Sequence, residues 1–503
     1  MERNAVVTVE KSQIIGEISE NLFGSFIEHL GRAVYTGIYE PDHPTADKDG
    51  FREDVIELVK ELQVPLIRYP GGNFVSGYRW QDGIGSRKDR PRRLELAWRS
   101  IETNQVGMDD FALWAGKAGS DVMPAVNLGT AQPQDAADLV EYCNFTGGTA
   151  LSDMRRENGR KEPYGFRYWC IGNEMDGDWQ ICHMTSQEYG RKAHETIKMM
   201  KWIDPTIRVT VAGSSGVVNP TYPEWDRIVL EHTYDEADYL SMHQYYGFNP
   251  QVEKENDYLH AYLNLDSFIR SMIATADYVK TYKRSSKTMM LALDEWNIWH
   301  NHLPDPPGVD WTVAPPLLEN QYDVRDALLF GGLMMTMINH ADRIKIGCLA
   351  QLVNVIAPIM TMPGGGTLKQ TIFYPYQAGC LYAKGCALHT KVVSDKTETK
   401  YGDAQVLYSA AAYGEEQGEL TLFLLNTNEK TLYTELKLRE FGKLVMKEHQ
   451  AFAGELYAVN TFEQPQRTTM VTQNMQQSYE EGAIVELEGY SFHVIRFVEN
   501  DRK

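Results

Sequence analysis

Between Asn21 and about Asn354 one unit recurs eight times: a short apolar run, a polar or Gly-rich turn, then a stretch of helical period. The runs are Asn21–His29, Pro65–Gly72, Asp121–Gly129, Arg167–Glu174, Val209–Ser215, Tyr239–Tyr246, Met289–Asn297 and Ile344–Asn354. Most are continuously apolar, as strands buried on both faces must be. Between them, Phe51, Val55, Leu58, Val59 and Leu62 fall on one helical face, and in Tyr262 to Tyr282 so do Phe268, Met272, Ala276 and Val279. Thr185 and Glu188 have capping-box spacing at the head of a helix running towards Trp202. This alternation predicts an α/β fold, a closed (β/α)8 TIM barrel with enlarged loops. An open doubly wound sheet is the alternative. It is disfavoured because no GxGxxG follows an early strand and no Walker motif occurs, and Gly364 to Gly366 reads as a surface turn.

After about Tyr382 the period changes. Ala404–Ala412, Glu419–Asn426, Leu432–Leu438, Leu444–Phe452 and Val485–Val498 read as short strands separated by turn residues, the pattern of a β-sandwich, here jelly-roll-like. The opening segment Ala5 to Ile15 is strand-like as well and precedes the first barrel run, so it is expected to pair in the C-terminal sheet. The expected division is residues 1–17 joining the sandwich, 18–382 as the barrel and 383–503 as the sandwich.

Charge and cysteine usage narrow the functional classes. Lys plus Arg number 49 against 69 Asp plus Glu, a formal charge of −20 that repels nucleic acid, anionic lipid and polyphosphate. No apolar run reaches the roughly 18 to 20 residues of a membrane span, and MERNAVVTVEKSQ contains no signal-peptide block. A cytoplasmic protein with no nucleic-acid or membrane partner is expected. Cys143, Cys170, Cys182, Cys348, Cys380 and Cys386 show no CxxC spacing and read as buried reduced thiols.

Catalytic groups of such a barrel sit where strands end and βα loops begin. The polar residues there are Glu28, His29, Arg68, Asn73, Asn127, Asn173, Glu174, His243, Tyr245, Glu295, Asn297 and Gln351, a lining suited to a polyol. Glu174 and Glu295 each end an apolar strand, where desolvation makes a carboxylate costly. Strands four and seven lie across the pore mouth, so the two can face one bound molecule, as a two-carboxylate glycosidase requires.

Four segments carry a resemblance: Gly172-Asn173-Glu174-Met175-Asp176-Gly177 with Trp179-Gln180, Asp294-Glu295-Trp296-Asn297, Phe26-Ile27-Glu28-His29, and Arg68-Tyr69-Pro70-Gly71-Gly72-Asn73. Over essentially its whole length the chain resembles the α-L-arabinofuranosidases of glycoside hydrolase family 51. The resemblance implies that Glu174 is the general acid/base and Glu295 the nucleophile of a retaining, exo-acting enzyme. It implies that Asn173 holds the sugar 2-hydroxyl, that Glu28, Asn73 and Gln351 bind the other hydroxyls, and that Tyr245 fixes the nucleophile. It also implies a homohexamer; the cytoplasmic reading points to short arabino- or arabinoxylo-oligosaccharides as substrates, and no cofactor is expected. A β-xylosidase or endo-glucanase on the same fold is the alternative, because a barrel does not dictate its substrate.

Arg68 is expected either to contact substrate or to orient Glu295 or Glu28, and His243 either to tune Glu174 or to fill the core. Trp98 and Trp299, in the loops after strands two and seven, are candidate sugar platforms. The histidines lack metal-ligand spacing, so no metal site is expected. A carboxylate-bound cation on Glu28, Glu174 and Glu295 and a non-catalytic sugar-binding protein are the remaining alternatives. Arg87, Lys88, Arg90, Arg92 and Arg93 are expected to meet acidic residues at a subunit contact. The Pro-rich segment His300 to Leu318 is expected to be stiff and to wall the site.

Overall fold

A computed structural model describes residues 4–473, 477–479 and 481–500. Eight parallel strands close a barrel in chain order: Gly24–Phe26, Leu66–Tyr69, Asp121–Val126, Tyr168–Ile171, Arg208–Val211, Tyr239–Tyr246, Met290–Ile298 and Ile344–Ala350. Each overlaps one of the eight apolar runs. Their inward side chains, among them Phe26, Leu66, Met123, Ala125, Cys170, Ala292, Ile346 and Cys348, fill the pore as a separate small cluster. The barrel is therefore plugged below its mouth, and only the strand ends are left to hold a ligand.

Helices Glu53–Leu62, Ser186–Ile203 and Tyr262–Tyr282 form where the apolar stripes place them. The Thr185 side chain accepts from the Glu188 amide while Glu188 reaches back, the reciprocal cap its spacing predicts. Helix Val324–Ile338 has no polar stripe, and every residue in it except Arg325 is buried. Barrel strand Met290–Ile298 packs against it, and so does the C-terminal sheet. A Cβ on Gly331 would stand 2.7 Å from the Phe492 ring, so the absence of a side chain is what lets the sheet close onto the helix.

Ten strands form the C-terminal sheet. Strand Ala5–Glu17 enters it as expected, antiparallel to Cys386–Val393 and parallel to Leu432–Arg439. The sheet curls over its own interior, where Val7, Leu388, Leu422, Leu436, Leu444 and Phe497 share one cluster. Tyr479 bridges the curl: its amide donates to the Leu444 carbonyl and its hydroxyl to that of Leu436.

Three expectations are corrected. Ala404–Ala412 is two elements, Gly402–Gln405 and Leu407–Gly414, and Val485–Val498 is interrupted between Ile484–Leu487 and Ser491–Glu499, where Tyr490 turns the chain at φ +48°. Strand Cys386–Val393 has no counterpart in the sequence reading, since only Ala387 and Leu388 in it are buried. All six cysteines are free, but Cys182 is exposed, on the irregular loop beyond the fourth barrel strand, and Cys386 is half-buried. Among the described residues, no helix is long and apolar enough to cross a membrane.

Candidate active site

Local backbone features aim the polar residues at one point. The turn after the second strand runs directly beneath Glu28. Gly72 there has φ +61°, and a Cβ on it would stand 2.1 Å from Glu28 Oε2, while one on Gly71 would stand 2.4 Å from the Phe26 ring. Only glycine fits at either position. After the fourth strand, Glu174 itself adopts φ +43°, a left-handed conformation rare outside glycine and found at functional sites. In the seventh strand the ladder slips between Ala292 and Glu295 on one edge and between Leu293 and Trp296 on the other. This irregularity breaks strict alternation and turns both Asp294 and Glu295 inward.

Arg68 is the hub. Its Nη1 donates to Glu295 Oε2 at 2.7 Å, its Nη2 to Asn173 Oδ1 at 2.6 Å, and its Nε lies 3.6 Å from Asp294 Oδ2. The guanidinium stands over the Phe26 ring, 4.8 Å from its centroid. The other oxygen of Glu295 accepts the Tyr245 hydroxyl at 2.7 Å. Glu174 accepts at both oxygens, from Trp179 Nε1 at 2.7 Å and from His243 Nδ1 at 3.0 Å. Glu28 accepts the Phe74 amide and Trp98 Nε1, both at 2.8 Å, and its own amide donates to Gln351 Oε1 at 2.8 Å.

Burial and mutual charge set the proton states. Burial alone would lower His243, but Glu295, Asp294 and Glu174 around it hold it up at about 10. Asp294 stays below the ordinary carboxylate range against burial, because His243, Arg68 and Ser241 all favour its charged form. Burial, then the negative charge of Glu295, pushes Glu28 well above that range. Glu174, His243 and Glu295 offer donor atoms within 4.8 Å of one another, a spacing a cation could bridge. As it stands, His243 Nδ1 lies 3.0 Å from Glu174 Oε1 and 3.7 Å from Glu295 Oε2, so the imidazole bridges the two carboxylates.

The structure thus brings Glu28, Arg68, Asn173, Glu174, His243, Tyr245, Glu295 and Gln351 together. Asn73 is half-buried in the adjoining turn. Trp98 reaches the cluster by its indole N–H, and Trp299 packs edge-on to Tyr245 at 5.6 Å. Two strand-end amides serve the scaffold instead: Asn127 donates to Tyr78 O and Thr130 Oγ1, and Asn297 to Ala350 O. Trp179 and Asp294 were missed as site residues. Both lie inside the motifs that carry the resemblance, but the turn that aims Trp179 at Glu174 and the slipped strand that turns Asp294 inward are visible only in the fold.

The basic loop is corrected too. Arg87 and Arg90 pair with Asp110 and Arg93 with Asp82, all within the chain, because the loop folds back on the helix that follows it. The Pro-rich segment joins that loop: Ile101 N donates to Thr312 O at 2.9 Å, and Arg99 pairs with Asp310.

Comparison with known proteins identifies the family. Residues 58–262 match the α-L-arabinofuranosidase 1 domain, and residues 294–491 match the α-L-arabinofuranosidase C-terminal domain. An intracellular exo-α-(1→5)-L-arabinofuranosidase of Bacillus subtilis is 52% identical over 89% of each chain. An exo-α-(1→6)-L-arabinofuranosidase of Bifidobacterium longum is 46% identical over 92% of this chain and 91% of its own. The structure of a family 51 α-L-arabinofuranosidase from Bifidobacterium longum superimposes with a TM-score of 0.93 at 38% identity, covering 99% of this chain and 100% of that one. The chain is an exo-α-L-arabinofuranosidase and belongs to glycoside hydrolase family 51.

Proposed function

We propose that the enzyme acts by retention, with Glu295 as nucleophile and Glu174 as acid/base, and releases terminal α-L-arabinofuranosyl residues from short arabino- or arabinoxylo-oligosaccharides. The observation that carries this is the opposition of the two carboxylates across the barrel mouth, with an oxygen of each within 4.8 Å. That closeness suits direct attack on carbon and leaves too little room for the intervening water of an inverting enzyme, whose carboxyl groups stand roughly 6.5 to 9.5 Å apart.

Arg68 and Tyr245 fix the lone pairs of Glu295, so it attacks the anomeric carbon as Glu174 protonates the departing glycosidic oxygen. The arabinosyl ester on Glu295 is then cleaved by water that Glu174 deprotonates. Trp179 and His243, one at each oxygen of Glu174, hold its carboxyl in place through both steps. Asn173, oriented by Arg68, holds the 2-hydroxyl. Glu28, Asn73 and Gln351 bind the remaining hydroxyls, and Trp98 and Trp299 flank the ring.

The enzyme works in the cytoplasm without cofactor, as a homohexamer, in arabinan and L-arabinose metabolism. Its barrel spans 18–382 and its sandwich 383–503, joined by residues 1–17. Among the relatives, the name at 52% identity specifies the 1→5 linkage and that at 46% the 1→6 linkage, which favours 1→5 here. Digestion of reduced α-1,5-arabino-oligosaccharides tests the reading: stepwise loss of single arabinose units from the non-reducing end is expected. Internal cleavage, or faster turnover of an aryl β-D-xylopyranoside, would refute it.

A further inference from the structure

Trp98 is brought to Glu28 by a hairpin that should not stand alone. Strands Arg93–Glu95 and Ser100–Glu102 share only the pairs Arg93↔Glu102, Leu94↔Ile101 and Glu95↔Ser100. A ribbon this short is not independently stable. Apolar burial does not hold it either, since Leu94 and Leu96 are 64% and 62% exposed and a cavity of about 210 Å³ lies behind it.

The Pro-rich segment bonds its outer strand at Ile101, and on its inner side two buried carboxylates fix it. Glu95 turns inward and accepts the amides of Ala97 and Trp98, each at 2.7 Å, which shapes the turn that presents the indole. Glu102, at the far end, accepts His29 Nδ1 at 2.7 Å and the Tyr35 hydroxyl. His29 and its hydrogen bonds hold Glu102 in its charged form against burial. The other His29 nitrogen is tied to the Tyr69 hydroxyl at 2.7 Å, and its ring stacks on Phe74 at 4.7 Å. Phe74 in turn donates its amide to the Glu28 oxygen that also accepts Trp98. Consecutive residues of one strand end therefore grip the hairpin at two points: Glu28 its tip, His29 its base.

We infer that His29, Glu95 and Glu102 are positioning residues that clamp the Trp98 hairpin onto Glu28 and thereby set how tightly the pocket holds the furanose ring. The inference rests on the glycosidase reading above and adds a two-point clamp to it. Its consequence is non-additivity: once Trp98 can no longer donate to Glu28, the clamp has nothing left to position.

The test is a double-mutant cycle of Glu102→Gln with Trp98→Phe on an aryl α-L-arabinofuranoside. Each single variant is expected to lower kcat/KM by about 10- to 100-fold, mainly through KM. The double variant is expected to match Trp98→Phe within about 3-fold. Multiplying losses, or a Glu102→Gln loss confined to kcat, would overturn the clamp. If Glu102→Gln does not fold, Glu95→Gln carries the same prediction in the same cycle. Glu295→Ala is run alongside: if it retains wild-type turnover, the glycosidase reading fails, whereas an inactive Glu295→Ala with additive clamp variants sinks the clamp alone.

Discussion

His243 at the barrel mouth and His493 in the C-terminal sheet are buried alike, at 3% and 0% exposure, yet their surroundings drive them to opposite charge. Three carboxylates overrule burial around His243 and hold it at about 10. In the sheet, burial and then the neighbouring His449 push His493 down to about 3. His493 bonds to His449 at 2.9 Å and to the Ser491 hydroxyl at 2.7 Å. The Glu488 carboxylate lies 3.4 Å away but is 48% exposed, so solvent screens it too well to offset burial. One region concentrates charge and balances it; the other expels it. The first arrangement suits chemistry on a polar ligand, the second suits a brace.

Replacing the hub should separate the regions most sharply. Arg68→Met leaves Glu295 and Asp294 without the guanidinium they share, so turnover should fall on the order of 10³-fold, and stability by about 3 kcal/mol or more. Leu422→Ala in the sheet should cost about 2 to 5 kcal/mol with kcat/KM unchanged. Urea unfolding and steady-state kinetics on both variants check this. Turnover retained in Arg68→Met would break the contrast.

Opposite pH dependences come next in size. His243 has a folded pKa above its ordinary value of 6.5, so its stabilisation is complete below that value and is lost as pH rises towards about 10. His493 has a depressed folded pKa, so stability is lost as pH falls from 6.5 towards about 3. Each pKa unit corresponds to about 1.4 kcal/mol. Thermal midpoints relative to wild type should therefore rise with pH for His243→Gln and rise with acid for His493→Gln. Parallel slopes would show that the two sites do not differ as described.

The smallest effect expected is Tyr245→Phe, which removes one donor to Glu295 while Arg68 remains. A fall in kcat of about 10-fold, with a folding midpoint near wild type, is the expected kinetic result. A loss as deep as that of Arg68→Met would make Tyr245 an equal support of the nucleophile.

Much of the barrel is legible in the sequence because its strands are buried on both faces. Met289–Asn297 or Tyr239–Tyr246 can be found without knowing what packs on them. Cys386–Val393 cannot, since only two of its residues are buried and it is held by ladders to Ala5–Glu17 and Leu407–Gly414. Helix Val324–Ile338 likewise lacks a polar stripe because the sheet covers the face that water would otherwise meet. In the site, Glu174, Glu295 and Arg68 announce themselves as charges at apolar strand ends. Trp179 and Asp294 depend on a left-handed residue and a slipped ladder, which residue type alone does not encode. The partners of Arg87, Arg90 and Arg93 depend on how the loop folds back within the chain, which a run of basic residues does not reveal.

Azide rescue tests the assignment of the two carboxylates most directly. Glu295→Ala and Glu174→Ala should each lower turnover of an aryl α-L-arabinofuranoside by on the order of 10⁴-fold, since each removes a reacting group. Azide fills the vacated side of the sugar in each case. The account predicts β-L-arabinofuranosyl azide from Glu295→Ala, by single inversion, and the α-anomer from Glu174→Ala, by attack on the covalent intermediate. The reverse pairing of anomers, or near wild-type turnover in either variant, would contradict it.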